Sequence, residues 1–171
     1  MKRALLLLAI LAACGDNDGG PLSYANPHGG KLRLVTSKTP AASDTEVVLD
    51  LVVGDQPLTG YSVGFDLPLD DTKVTLAAFT PGTALDPGSD PVAAKALVPA
   101  AGPLAHQLVT GLSQKAAGGG AVATDAALKP GTVLYTLQLD LVKDAPAGIV
   151  FDGTATGFVL PSGGMRDRMG N

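Results

Sequence analysis

Few side chains in this 171-residue chain have the types and spacing to do chemistry. Cysteine occurs once, at Cys14, and histidine twice, at His28 and His106. A lone thiol makes no internal disulfide, and one Cys with two His falls short of a thiolate zinc site. A Ser/His/Asp relay needs a histidine within reach of both partners. His28 stands between Pro27 and Gly29 in a polar stretch, and His106 lies in a strand-like apolar run. The chain has no GxSxG, no HExxH and no Gly-rich phosphate loop. Gly118-Gly119-Gly120 is not followed by Lys and reads as a flexible loop. Asp70-Asp71, with Asp66 close by, reads as a solvated turn rather than an acid/base pair. That turn and the Asp86 to Asp90 stretch are the two places where a surface calcium is conceivable. The expectation is a non-catalytic protein with no cofactor and no metal centre. A formal net charge of −4 carries no basic footprint for nucleic acid.

Cys14 has the clearest setting. Met1-Lys2-Arg3 is a short basic start, and Ala4 to Ala13 is an unbroken apolar run of ten residues. Such a run is too short to span a bilayer core, which takes about 20 apolar residues. It has the length of a signal-peptide hydrophobic region. The run ends in Leu11-Ala12-Ala13-Cys14, which resembles the lipobox of bacterial lipoproteins: Leu, two small residues, then Cys. The resemblance implies a diacylglycerol group on Cys14 and cleavage ahead of it. Residues 1–13 are then a lipoprotein signal peptide, and the mature chain has 158 residues. Losing Lys2 and Arg3 takes its formal net charge from −4 to −6. Each buried CH₂ adds about 0.8 kcal/mol of membrane affinity, so two or three acyl chains anchor firmly. The lipid membrane is thus one expected partner. Gly15 follows Cys14 directly and Asp16 comes second, which favours the outer over the inner membrane under enteric-type sorting.

The rest of the chain has to position whatever this anchor displays. Gly (22) and Pro (13) make up about a fifth of the residues, which disfavours long helices. Residues 14–30 read as a flexible tether, leaving Tyr24 free. From 31 to 160, apolar residues recur with period two between turn signals, the mark of an all-β sandwich or barrel. Strands are expected at 31–36, 46–53, 61–67, 72–79, 104–112 and 132–142, with one or two more in 149–160. Tyr61, Val63, Phe65 and Leu67 should face inward, as should Val133, Tyr135, Leu137, Leu139 and Leu141. Leu104, His106 and Leu108 should share a face. Residues 80–102, with four Pro and three Gly, read largely as loop. A short helix or an edge strand is expected within 121–128, and 161–171 is a polar tail.

One part of this pattern resembles a known family. Glu46 to Leu85 is similar to the first half of a cohesin-type domain. The residues that carry the likeness are Tyr61-Ser62-Val63-Gly64-Phe65-Asp66-Leu67, the acidic turn Asp70-Asp71, and Phe79-Thr80-Pro81-Gly82-Thr83-Ala84-Leu85. Gly131 to Val142 is similar to the family's late strand. The chain departs from the pattern at Leu69, where the family has an aromatic, and lacks the late strand's usual Phe. The resemblance implies an antiparallel, cohesin-like jelly-roll sandwich over residues 31–160, presenting a sheet face to a protein partner.

Fold alone does not assign function. The expected role is a lipid-anchored cell-envelope protein, periplasmic or surface-exposed, whose sandwich binds another protein or mediates adhesion. The alternative is a structural envelope lipoprotein with no ligand site. A carbohydrate-binding module is a remote third, since sugars stack on exposed aromatics and the chain has no Trp. The 80–102 segment discriminates between the first two. Folding over an apolar groove would favour binding, and merely capping the sandwich would favour a structural role. The anchor has its own test: Cys14→Ala should abolish labelling by a clickable palmitate analogue and move the protein from the membrane to the soluble fraction. Membrane retention of that variant would sink the lipid-anchor assignment.

Overall fold

Alternating side chains build this protein's strands, and two of its sheets bury their apolar faces against each other. The computed structural model describes residues 22–25, 31–85, 92–115, 124–143, 149–152 and 164–166. The strands are β1 (Leu22–Ala25), β2 (Leu32–Thr36), β3 (Glu46–Val53), β4 (Leu58–Gly60), β5 (Ser62–Pro68) and β6 (Val74–Pro81). They continue as β7 (Val92–Leu97), β8 (Gln107–Ser113), β9 (Ala126–Leu128), β10 (Val133–Leu141), β11 (Ile149–Asp152) and β12 (Gly164–Arg166). No helix occurs among the described residues. One sheet has the order β2-β3-β10-β6 and the other β12-β5-β8-β7, both antiparallel throughout. Two small ribbons, parallel β1-β11 and antiparallel β4-β9, complete the set.

The core lies between the two four-stranded sheets. From the first come Leu34, Val47, Leu49, Leu51, Val53, Leu137 and Leu139; from the second, Val63, Phe65, Leu67, Leu108 and Leu112. Tyr135 occupies the middle and is fully buried. Its ring stacks on Phe65 of the opposite sheet, with centroids 5.7 Å apart and planes 7° apart. Phe79 packs against its other flank at 5.0 Å. The Tyr135 hydroxyl and Thr110 Oγ1 are 2.7 Å apart, and Thr110 Oγ1 donates to the carbonyl of Phe65 at 3.3 Å. Tyr135 is therefore the donor, and the proton chain runs Tyr135 to Thr110 to Phe65. Burial pushes the Tyr135 phenol well above its ordinary value, against the lowering effect of its bond with Thr110.

Several strands match the sequence reading closely: β2, β3, β5 and β10 fall within a residue or so of their expected bounds. Within 80–102, read largely as loop, Val92–Leu97 forms β7 and pairs along β8. Three local expectations are corrected. His106 is not in a strand; it sits in the turn before β8 with a left-handed backbone, φ 59°. Val133 is 40% exposed and the fully buried residue is its neighbour Leu134. A bulge between Val133 and Tyr135 shifts the register against β3 there, and one extra residue reverses the alternation. Tyr61 is half-buried rather than in the core, and its carbonyl accepts from the Gln114 amide.

Tyr24 is corrected as well. It is not free in a tether: Leu22 and Tyr24 of β1 are both buried, and the Tyr24 hydroxyl donates to the Leu34 carbonyl at 2.9 Å. The 121–128 expectation resolves to a strand, β9.

A second polar residue ties loops to the core. The buried Gln114 amide donates to the carbonyls of Leu85 (2.6 Å) and Thr124 (3.0 Å). Leu85 itself is fully buried, so the step after β6 is fastened on two sides. Its start is tighter still. Gly82 N donates to the Leu134 carbonyl at 2.8 Å, and a Cβ added at Gly82 would lie 2.6 Å from that oxygen. Because the obstacle is backbone, a side chain there forces strand β6 away from β10. Gly82→Ala should cost about 1–3 kcal/mol, the range for overpacking. The urea midpoint should fall with an unchanged slope; an unaltered midpoint would show that the approach is not needed.

Candidate functional site: a groove between two sheet edges

Among the described residues, β6 is an end strand of the first sheet and β7 an end strand of the second, each paired on one side. These edges run close together, and between them lies an open groove of about 380 Å³. Leu69, Asp71, Thr75 and Leu76 line it on the β6 side, and Ala96, Leu97 and Val98 on the β7 side. Leu69 is buried, and Leu76, Ala96 and Val98 pack on the core, so the floor is continuous with the interior.

The turn between β5 and β6 sets the mouth of the groove. Asp70 organises it: Thr72 N and Thr72 Oγ1 donate to Asp70 Oδ1 at 3.1 and 2.5 Å, and Lys73 Nζ meets Oδ2 at 2.7 Å. The amides of Lys73 and Val74 donate to the Asp70 carbonyl, both at 2.9 Å. An aspartate that accepts from its own backbone two residues on builds a turn without help from the rest of the fold. The Lys73 ammonium first, and Thr72 second, hold the Asp70 carboxyl down at about 2, from an ordinary 3.8.

Asp71 is thereby left to face the turn before β8. Leu69 N donates to the His106 carbonyl at 2.9 Å, which extends the β5–β8 ladder past Pro68 and Gln107. The His106 side chain, 64% exposed, donates from Nδ1 to Asp71 Oδ1 at 2.6 Å. The left-handed backbone of His106 turns the ring back toward Asp71, and a non-glycine residue in that conformation costs of order 1 kcal/mol. The sequence reading took both residues singly; their meeting, 35 positions apart, needs the ladder to be known.

This pair has a base and an acid but no hydroxyl or thiol bonded to the imidazole among the described residues. Among the same residues, no group of three or more His, Cys, Asp or Glu is placed to hold a metal ion. Asp70 and Asp71 are each engaged by their neighbours, while Asp66 lies half-buried within β5. Cys14, His28 and the Asp86 to Asp90 stretch lie outside the described residues. None of the tyrosines described is exposed: Tyr24 and Tyr135 are buried and Tyr61 is half-buried.

The chain matches no family model, no curated protein and no solved structure.

The Asp70 clamp has a defined pH signature. Its carboxyl is lowered in the folded state, so its stabilisation is present above the unfolded value near 3.8 and fades as pH falls through about 2. Carboxyl-detected NMR should give Asp70 a midpoint near 2, rising toward 3.8 in Lys73→Met. An unshifted midpoint in that variant would remove Lys73 as the main cause.

Proposed function

We propose that this chain is a cell-envelope lipoprotein, held to the outer membrane by an acylated Cys14, whose cohesin-like sandwich binds another protein without catalysis. The observation that carries the binding reading is the fate of the 80–102 segment. It supplies β7 and the residue that follows it, so that Ala96 to Val98 wall an open groove instead of merely capping the sandwich. That favours a binding module over a purely structural lipoprotein.

Two further observations support it. The aromatic that the sequence left free for sugar stacking, Tyr24, is buried, which favours a protein over a glycan as partner. The histidine and aspartate at the groove mouth form a pair with no nucleophile bonded to it among the described residues, an arrangement suited to shaping a surface rather than to acyl transfer. The cohesin likeness supplies the analogy of a tethered sandwich that receives a partner module, and the groove supplies a place for it here.

The reading is tested with the full-length chain, purified in mild detergent and immobilised. It should retain an envelope protein saturably, with release by excess free chain. Absence of any saturable partner would return the structural reading to first place.

A further inference from the structure

Five of the groove's seven lining residues (Leu69, Leu76, Ala96, Leu97 and Val98) are apolar, and Asp71 and Thr75 are the polar two. The groove lies where two sheet edges meet: among the described residues, β6 bonds only to β10 and β7 only to β8. Within the described chain each edge therefore carries backbone N–H and C=O groups with no strand beside them.

Natural edges are commonly guarded by bulges, Pro or Lys. Both edges here have bulges, but not at the groove. In β6 the register against β10 slips between Leu76 and Ala78, and in β7 the register against β8 slips between Ala93 and Lys95. The groove residues fall on the regular side of each slip: Thr75 and Leu76 before it in β6, Ala96 and Leu97 after it in β7. The regular run in β7 is Lys95 to Leu97; Val98 continues the groove wall just past the strand, and Pro99 follows.

We propose that the groove takes an extended polypeptide segment of the protein partner as an added strand on the free edge of β7. This rests on the binding reading above. Main-chain groups of the edge pair with the incoming backbone, and alternate apolar side chains of the segment enter over Leu76, Ala96 and Val98. A basic residue completes the match. Among the described residues Asp71 is the one ionisable side chain lining the groove, and its carboxylate, with one oxygen held by His106, has capacity for a further donor. The occupant is thus an extended, alternating apolar segment with a Lys or Arg at the Asp71 end.

The test uses the full-length chain in detergent and fluorescein-labelled heptapeptides of alternating threonine and valine, with one terminal residue either lysine or glutamate. Polarisation should show binding of the lysine peptide at least tenfold tighter than the glutamate peptide. Asp71→Lys should reverse that preference. Thr75→Arg, at an exposed position that leaves the core intact, should weaken binding at least tenfold with unchanged melting. Backbone N-methylation separates strand addition from simple apolar contact. Methylating alternate residues of one parity should abolish binding, and methylating the other parity should leave it. Equal binding of both methylated peptides would overturn the proposal. So would no peptide binding up to millimolar while the envelope partner is still retained, an outcome that spares the binding reading. A concentration-dependent dimer abolished by Thr75→Arg would also overturn it, by making a second copy of this chain the occupant.

Discussion

One buried hydroxyl constrains this sandwich more than any other group. Tyr135 places a phenol midway between two apolar faces, where an unpaired hydroxyl would cost about 1–3 kcal/mol. It is satisfied only because Thr110, on the opposite sheet, accepts its proton and passes its own to the Phe65 carbonyl. Apolar packing alone is non-directional and would tolerate a sliding of one sheet over the other. A 2.7 Å bond between them would not. Phe65 stacks on the same ring, so the geometry is fixed by direction at the hydroxyl and by area at the ring.

That fixed point reaches the edges through cross-strand registry. In the second sheet Phe65, Thr110 and Ala96 are neighbours in one row. In the first, Leu51, Tyr135 and Pro81 form the facing row. The rows end at β7 and β6, the two strands that border the groove. Gly82, one residue beyond Pro81, lets the backbone close on Leu134 and holds the end of β6 in place. The groove is therefore not a loose gap between loops. Ala96 in its wall ends the row through Thr110, and Leu76 lies further along β6, the strand on which the Tyr135 row ends; its mouth is set by the Asp70 turn and the Leu69–His106 link.

The sequence made some of this legible and hid the rest for identifiable reasons. β3 and β10 are long runs of strong alternation, and they appear with their expected bounds. The Pro81 to Leu85 step was visible as a motif, though its purpose was not; the reason for Gly82 is a carbonyl more than fifty positions away. β7 was missed because Val-Ala-Ala-Lys-Ala-Leu has little β-propensity of its own and sits between prolines; pairing with β8 overrides it. Tyr24 was misplaced because a strand of four residues offers too short an alternation to stand out from Pro and Gly. The bulge at Val133 was invisible, since an extra residue changes the period without changing the composition.

The groove was beyond reach of pattern reading for a deeper reason. Strand periodicity reports which face of a strand is buried, and it is silent on which strands end up last in their sheets. Edge position follows from pairing choices spread over the whole chain, and β6 and β7 are consecutive in sequence yet belong to different sheets. Among the described residues, these two strands leave their unpaired edges on the same side, bordering one groove. A sandwich built this way exposes backbone where its layers meet. Any partner that reads such a surface reads main-chain spacing first and side chains second. An apolar groove with little aromatic character and a single carboxylate can therefore still be selective: the backbone sets the form of the occupant, and Asp71 sets its polarity.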